Sequence, residues 1–297
     1  MKTILLTGKN GQVGWELQRT LAPLGRVVAL DSGELDLADA AAIRQAVRAI
    51  RPHIIVNPAA YTAVDRAESE PELAHAVNAT APGVLAEEAK ALGAWLVHYS
   101  TDYVFDGAKP GAYVETDAPN PQSAYGKSKL AGEEAVRAAG GRHLIFRTSW
   151  VYGSRGRNFM LTMLRLARER PELRVVDDQI GAPTWSRSLA ETTAQILAQL
   201  HMPGQPAPDA SGTYHLTSSG SVSWHGFTAE ILRLSGIEPL PALHAIPSRE
   251  YPTPAVRPKN SMLSNDKLAR TFGLAAGDWR DNLRLCMQEM EGRGNAG

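Results

Sequence analysis

The sequence predicts an α/β protein: a doubly wound parallel sheet covered by helices on both faces, followed by a smaller and less regular second half. Three observations predict it. Short apolar runs alternate with stretches of helical periodicity over residues 1–150. A glycine-rich turn joins the first apolar run to the first helix. Beyond Trp150, where the last strong apolar run ends, the alternation weakens and prolines accumulate. Strand–helix alternation builds βαβ units, whose strands run parallel and are buried on both sides.

The expected strands of the first half are 3–6, 27–30, 54–56, 95–99 and 144–147. The helices between them are expected at 13–24, 38–50, 74–92 and 124–138. In the second half, helical patterns cover 159–169, 186–200 and 224–234, and short strands 173–176 and 214–216. Residues 202–209 are rich in proline and glycine and read as a surface loop. Residues 239–258 hold six prolines and read as extended and irregular. A closing helix is expected over 278–290, with fraying from 292 to 297.

Composition narrows the function. The chain has 297 residues, enough for two domains of about 150 residues each. Hydrophobic residues make up 43% and charged residues 21%, which excludes disorder as a description of the whole. Lys plus Arg and Asp plus Glu are both 31, so no overall basic footprint exists for nucleic acid or an acidic membrane. Cys286 is the single cysteine, which excludes an intrachain disulfide. The eight histidines show no metal-ligand spacing. The opening run 3–6 is too short for a signal peptide, and no run approaches the roughly 18 apolar residues of a membrane span. A soluble, cytoplasmic protein without nucleic-acid or membrane partners is expected.

The turn Gly8-Lys9-Asn10-Gly11-Gln12-Val13-Gly14 follows the first strand directly. Glycines let a backbone turn tightly and approach a pyrophosphate, and the helix N-terminus then offers free N–H groups to it. Gly8, Asn10, Gly11, Gln12, Val13 and Gly14 are therefore candidate dinucleotide-binding residues. Asp31 ends the second strand, 17 residues after Gly14, where an acid accepts from ribose hydroxyls and favours NADH. Lys9 argues the other way, since a cation there meets a 2′-phosphate, and the choice between NADPH and NADH stays open. Asp36 and Leu37 are candidates for the adenine edge.

Tyr125 and Lys129 stand at i and i+4 on an expected helix, one turn apart on one face. A phenol with a pKa near 10 is a poor acid–base at neutral pH, and a nearby ammonium favours its ionised form. The pair suits proton donation to a carbonyl oxygen as hydride arrives. The run His98-Tyr99-Ser100-Thr101-Asp102-Tyr103-Val104-Phe105 ends a buried strand, where parallel sheets bind ligands. A hydroxyl there, from Thr101 or Ser100, would polarise the carbonyl.

Gly8, Gly11 and Gly14, then Thr101, then Tyr125 and Lys129, resemble the extended short-chain dehydrogenase/reductase family. Within that family the resemblance is to reductases of keto-sugar nucleotides. It is carried by GQVGWELQR (11–19), TAVDRAESE (62–70), HYSTDYVF (98–105), LIFRTSWVY (144–152), DQIGAPT (178–184) and YPTPAVRPKNS (251–261), across nearly the whole chain. It implies a Rossmann-like dinucleotide domain over 1–150 and a smaller sugar-nucleotide domain over 151–297, some segments of which return to the first. It implies reduction by NADPH or NADH of the 4-keto group of dTDP-4-dehydro-6-deoxy-L-mannose to dTDP-L-rhamnose, for a bacterial surface polysaccharide. Tyr125 would protonate the new alkoxide, Lys129 would lower the tyrosine pKa and hold the nicotinamide ribose, and Thr101 would bind the carbonyl oxygen.

By the same resemblance Ala59, Ala60 and Thr62 line the cofactor, with Pro58 where alanine is usual. Asp102, Tyr103 and Trp150 lie near the sugar, and Asn158, Gln179 and Arg257 reach the diphosphate and base. The resemblance also implies a homodimer. Some members hold a divalent cation there through glutamates. Glu16 and Glu289 match two of those positions, but Arg187 falls on the third, so no metal requirement is expected, and Arg187 is expected to pair with Glu16 or Glu289 across the interface. Family dehydratases carry an Asp-Glu pair after the active-site Thr; here it reads Asp102-Tyr103, which favours simple reduction. The motifs also fit a non-catalytic regulatory subunit on this fold.

Overall fold

The structure, a computed structural model, describes residues 1–200 and 210–294. The loop expected at 202–209 and the last three residues lie outside the described residues.

The first half builds β1 (Thr3–Leu6), α1 (Gln12–Thr20), β2 (Arg26–Ala29), α2 (Ala40–Ile50), β3 (Ile54–Asn57), α3 (Val64–Ala67) and α4 (Pro71–His75). It continues with α5 (Ala81–Leu92), β4 (Trp95–Thr101), α6 (Ala124–Ala139) and β5 (His143–Thr148). The second half builds β6 (Val151–Tyr152), α7 (Phe159–Glu169), β7 (Glu172–Val176), β8 (Ile180–Gly181), β9 (Thr184–Trp185) and α8 (Ser186–Gln199). Then come β10 (Gly212–His215), β11 (Val222–Ser223), α9 (Trp224–Leu234), β12 (Ala242–Ile246), β13 (Asn260–Ser261), α10 (Asp266–Phe272) and α11 (Trp279–Gly294).

Among the described residues, six strands form one parallel sheet in the order β10-β5-β4-β3-β1-β2. The chain leaves this sheet after β5 and returns once, at β10. Side chains alternate across it with period two. Ile4, Leu6, Val56, Val97 and Phe146 pack beneath Leu17 of α1, Leu189 of α8 and Leu268 of α10. Leu5, Ile55, Leu96 and Ile145 pack on the opposite face against Ile43 of α2, Leu85 of α5 and Val136 of α6. Burial on both faces is why these strands read as unbroken apolar runs. A third core joins α7, α9 and α11 through Met160, Phe227, Ile231, Trp279 and Leu283.

Helix ends follow local chemistry. Asp39 caps α2 by accepting from the amides of Ala41 and Ala42. Ser123 caps α6 through the amide of Gly126, which sets Tyr125 in the first turn. The helix expected at 13–24 ends at Thr20, and Pro23 sits in a following 3-10 turn, Ala22–Leu24. The helix expected at 74–92 changes pitch: α4 runs into a π-helical turn, Ala76–Thr80, and α5 opens with Pro82 in its first turn. A proline supplies no N–H and crowds the carbonyl four residues earlier, which accounts for the wider turn within a continuous helix.

Two further corrections fall in the second half. The irregular segment 239–258 contains β12, five residues free of proline, paired in parallel with β7. Its prolines flank the strand, where missing donors cost nothing. The closing helix continues to Gly294, past the expected fraying point.

The glycine turn is held by close packing. Gly8 has a left-handed φ of 59°, and a Cβ there would lie 2.9 Å from the Cβ of Ala59. A Cβ at Gly14 would lie 2.1 Å from the Gly8 carbonyl oxygen. Gly14→Ala is therefore expected to cost about 3 kcal/mol, the upper range of overpacking. Gly292→Ala, which meets nothing within 4 Å among the described residues, serves as the control on α11, expected to be unchanged or stabilised by up to about 1 kcal/mol in thermal unfolding.

Candidate active site

The site lies beyond the carboxyl ends of the parallel strands. A cavity of about 600 Å³ runs along them from the glycine turn to α6. Gly8, Asn10, Gly11, Gln12, Val13 and Gly14 line one end; Asp31, Asp36, Leu37, Ala59, Ala60 and Thr62 line its walls; Tyr125 and Lys129 line the other end. Helix α1 opens beside it at Gln12, with no side-chain cap on its N-terminus and no acid in its first turn. A helix start without a side-chain cap, reached through a turn whose glycines leave no room for a Cβ, is what a dinucleotide pyrophosphate requires, so the residues present fit that group.

At the ribose end, Asp31 accepts from the side chain of Asn10 at 2.9 Å and the amide of Gly33 at 3.0 Å. The Gly33 amide, with Lys9 and Asn10, holds its carboxyl below the usual range. Lys9 is hydrogen-bonded to Glu34 and lies 3.5 Å from Asp31. Sequence reasoning missed Glu34 because nothing in the turn's spacing ties it to Lys9.

At the chemical end, Thr101 is the last residue of β4. Its hydroxyl donates to Asp102 at 3.1 Å and accepts from the Tyr103 amide at 3.2 Å. Burial pushes the Tyr125 phenol well above its ordinary value, and a hydrogen bond with Thr101 is the opposing effect. Lys129 is almost fully buried, and desolvation lowers it to about 8, with Glu133 acting against the shift. Its ammonium donates to the Tyr99 carbonyl at 2.6 Å. Lys129 is thereby tied to β4. Asp102 is also buried, raised to about 6 by desolvation, and accepts from Ser261 of β13.

Thr148 at the end of β5 was not anticipated. It lines the cavity, and its buried hydroxyl has no partner among the described residues. Its position at the carboxyl end of a parallel strand was the available signal. Arg157, also on the cavity wall, stands in a loop where no pattern marks it.

A second cavity of about 660 Å³ lies under the second half. Tyr103, Gln179 and Arg257 line it, together with Arg170 and Arg174. Arg257 donates to the Tyr103 hydroxyl at 3.0 Å and to Asp65 at 2.7 Å. The Tyr103 and Tyr125 rings meet edge to face, centroids 5.4 Å apart, so the two cavities share this boundary. Trp150 has a left-handed φ of 49° and stacks at 3.5 Å on Trp224, which lines the second cavity.

Asn158 does not line either cavity. Its oxygen caps α7 through the amide of Leu161, and its amide group donates to Gln12 and to the carbonyls of Gly153 and Arg155. These bonds use its polar atoms to hold a loop against the glycine turn. Arg187 is a second correction. It reaches Glu16 of α1 at 3.3 Å and Glu289 of α11 at 3.2 Å within one chain, where pairing across an interface was expected. Helices α1, α8 and α11 are already adjacent, so no partner is needed to bring these charges together.

Comparison with known proteins gives the family of the chain. The family model described as RmlD substrate binding domain matches residues 1–291. A dTDP-4-dehydrorhamnose reductase of Burkholderia thailandensis is 50% identical, covering 97% of this chain and 98% of that protein. That of Escherichia coli K12 is 48% identical, covering 97% of each. The crystal structure of the Bacillus anthracis dTDP-4-dehydrorhamnose reductase in complex with NADP superposes with a TM-score of 0.89 at 37% identity, covering 97% of this chain and 99% of that one. A UDP-glucose 4-epimerase from Thermus thermophilus, 22% identical with a TM-score of 0.81, shares the fold. With a family model spanning nearly the whole chain and relatives at about half identity, this chain belongs to the dTDP-4-dehydrorhamnose reductase family.

Proposed function

We propose that this chain reduces the 4-keto group of dTDP-4-dehydro-6-deoxy-L-mannose to dTDP-L-rhamnose, with NADPH or NADH as reductant. The observation that carries the reading is the meeting of the two cavities at Tyr103 and Tyr125, beside the Thr101 hydroxyl. One cavity has the bare glycine floor of a dinucleotide site, and the other carries the cations Arg170, Arg174 and Arg257 that a sugar-nucleotide diphosphate pairs with.

When bound, the reduced nicotinamide supplies a hydride to C4 of the sugar. The chain's own residues handle the oxygen. Thr101 holds the carbonyl oxygen by its hydroxyl once its proton turns from Asp102, and Tyr125 holds at Oη the proton that this oxygen takes. The raised phenol stays protonated at neutral pH until an alkoxide, a stronger base, forms beside it. The Lys129 ammonium then favours the phenolate left behind. Asp31 accepts from ribose hydroxyls, and Lys9 beside it supplies a cation for a 2′-phosphate, which supports use of both cofactors. Arg257, now held by Asp65, is placed to turn onto the diphosphate. The enzyme acts in the cytoplasm as a homodimer; among the described residues no helix is long and apolar enough to cross a membrane.

The test is loss of reduced-nicotinamide absorbance when the purified chain meets the keto sugar generated in situ. Tyr125→Phe is expected to lower kcat by about 10²–10⁴-fold while cofactor still binds. A folded wild-type chain that binds cofactor and leaves it unoxidised would favour the regulatory-subunit reading.

Arg187 places a cation between Glu16 and Glu289, where a metal would be repelled. Chelation is expected to leave both turnover and sedimentation unchanged; activity restored by magnesium alone would overturn this.

Asp102 gives a pH signature. Its folded pKa lies above the unfolded one, so its stabilising contribution is complete below about pH 4 and is lost as pH rises through about 6. Asp102→Asn removes this loss. Its stability relative to wild type is expected to improve by about 2 kcal/mol between pH 4 and pH 7, read from urea midpoints.

A further inference from the structure

Behind Lys129 runs a line of buried side chains that the proposed reaction does not use. His98 of β4 places Nε2 3.4 Å from Lys129 Nζ. Its Nδ1 lies 3.2 Å from the side-chain amide of Asn57 on β3, and that amide lies 2.6 Å from the Thr7 hydroxyl, just past β1. Asn57 and His98 are register partners on adjacent strands. Both have no exposed surface, so each must find its hydrogen bonds among buried groups, while Thr7 also lines the first cavity.

Donor counting requires one arrangement when Lys129 is charged and opens a second when it is neutral, since a neutral amine can accept as well as donate. An ammonium only donates, whereas a neutral imidazole has one donor and one acceptor, and an amide has both. If Lys129 is charged, His98 Nε2 must accept. Nδ1 then carries the proton, Asn57 must present Oδ1 to it, and Asn57 Nδ2 donates to Thr7. If Lys129 is neutral, its lone pair accepts from Nε2–H. Nδ1 then accepts from Asn57 Nδ2, and Thr7 donates to Oδ1. The two sets share the same heavy-atom positions and differ by a ring tautomer and an amide turn. Burial and the neighbouring ammonium keep His98 itself uncharged.

We infer that His98, set by Asn57 and Thr7, is the positioning residue for Lys129, and that its tautomer follows the charge on that lysine. In the charged state the Tyr99 carbonyl and His98 Nε2 take two of the three ammonium protons. The third is left for the cavity that Lys129 lines. The groups around Lys129 are few: Tyr125 and Glu133 on its own helix, His98 on β4, and Arg147 on β5, which is forked onto Glu133. On α5, Glu88 turns to Arg44 and Arg48. The switch in the free protein stands by itself; its use in turnover rests on the reductase reading.

The test reads the ring nitrogens of His98 by NMR in the full chain, assigned by their loss in His98→Gln. Below Lys129's pKa, at about pH 6, the proton is expected on Nδ1; above it, at about pH 10, on Nε2. One tautomer at both pH values, or an imidazolium, overturns the switch. Kinetics supply the second arm. His98→Leu removes the acceptor, so the alkaline limb of kcat/KM should move about one unit lower, about tenfold in rate on that limb. His98→Gln offers a carbonyl oxygen and should restore it. A limb unmoved by His98→Leu overturns the positioning role. A wild-type chain without turnover would refute the reductase reading and leave the tautomer result intact.

Discussion

Glu133 holds a carboxylate with no exposed surface, one turn beyond Lys129 on α6. Arg147 of β5 grips it with two bonds of 2.8 and 2.7 Å, and the Ser100 hydroxyl of β4 adds a third at 2.6 Å. The rest of the site depends on this fork, because it fixes α6 against the two strands whose ends carry Thr101 and Thr148. A buried charge left without its partner costs about 3–5 kcal/mol, so the helix cannot slide or rotate without losing more than a local contact. The fork keeps Glu133 ionised against the desolvation that opposes it. That negative charge in turn opposes the desolvation of Lys129. A structural ion pair thereby helps sustain the charge of Lys129.

The two halves of the chain meet along the same line. Ser261 of β13 reaches Asp102, Arg257 reaches Tyr103 and Asp65, and Asn158 reaches Gln12. Each contact joins a residue of the second half to one of the first half. The two cavities are therefore held at a common edge, at the Tyr103–Tyr125 contact.

Much of this was legible in the sequence, for reasons tied to particular residues. The runs around Ile4, Ile55, Leu96 and Ile145 are apolar at successive positions because both faces of the sheet are covered. Gly8 and Gly14 are glycines because their neighbours leave no room for a Cβ. The four-residue step from Tyr125 to Lys129 places both on one cavity wall because one helix carries them. Less was legible where a strand borrows its stability from a partner. Strand β12 lies among prolines and is defined by pairing with β7, whose partner residues stand seventy positions earlier in the chain. The wider turn at Ala76–Thr80 hid inside a continuous helical pattern, because only the Pro82 ring betrays it.

Local spacing thus determined the sheet, the glycine turn and the Tyr–Lys pair, since each depends on residues a few positions apart and on periodicities of two or 3.6. Tertiary structure alone decided which charges meet and which polar atoms are already used. Arg187 lies between Glu16 and Glu289, Asn158 spends its bonds on a loop, and Thr7, Asn57 and His98 line up behind Lys129. These residues stand far apart in the chain and become neighbours through the parallel register of β1, β3 and β4 and the packing of α1, α8 and α11. No local pattern encodes such a meeting, because the free energy that selects it comes from burying polar groups together, where each must find a partner.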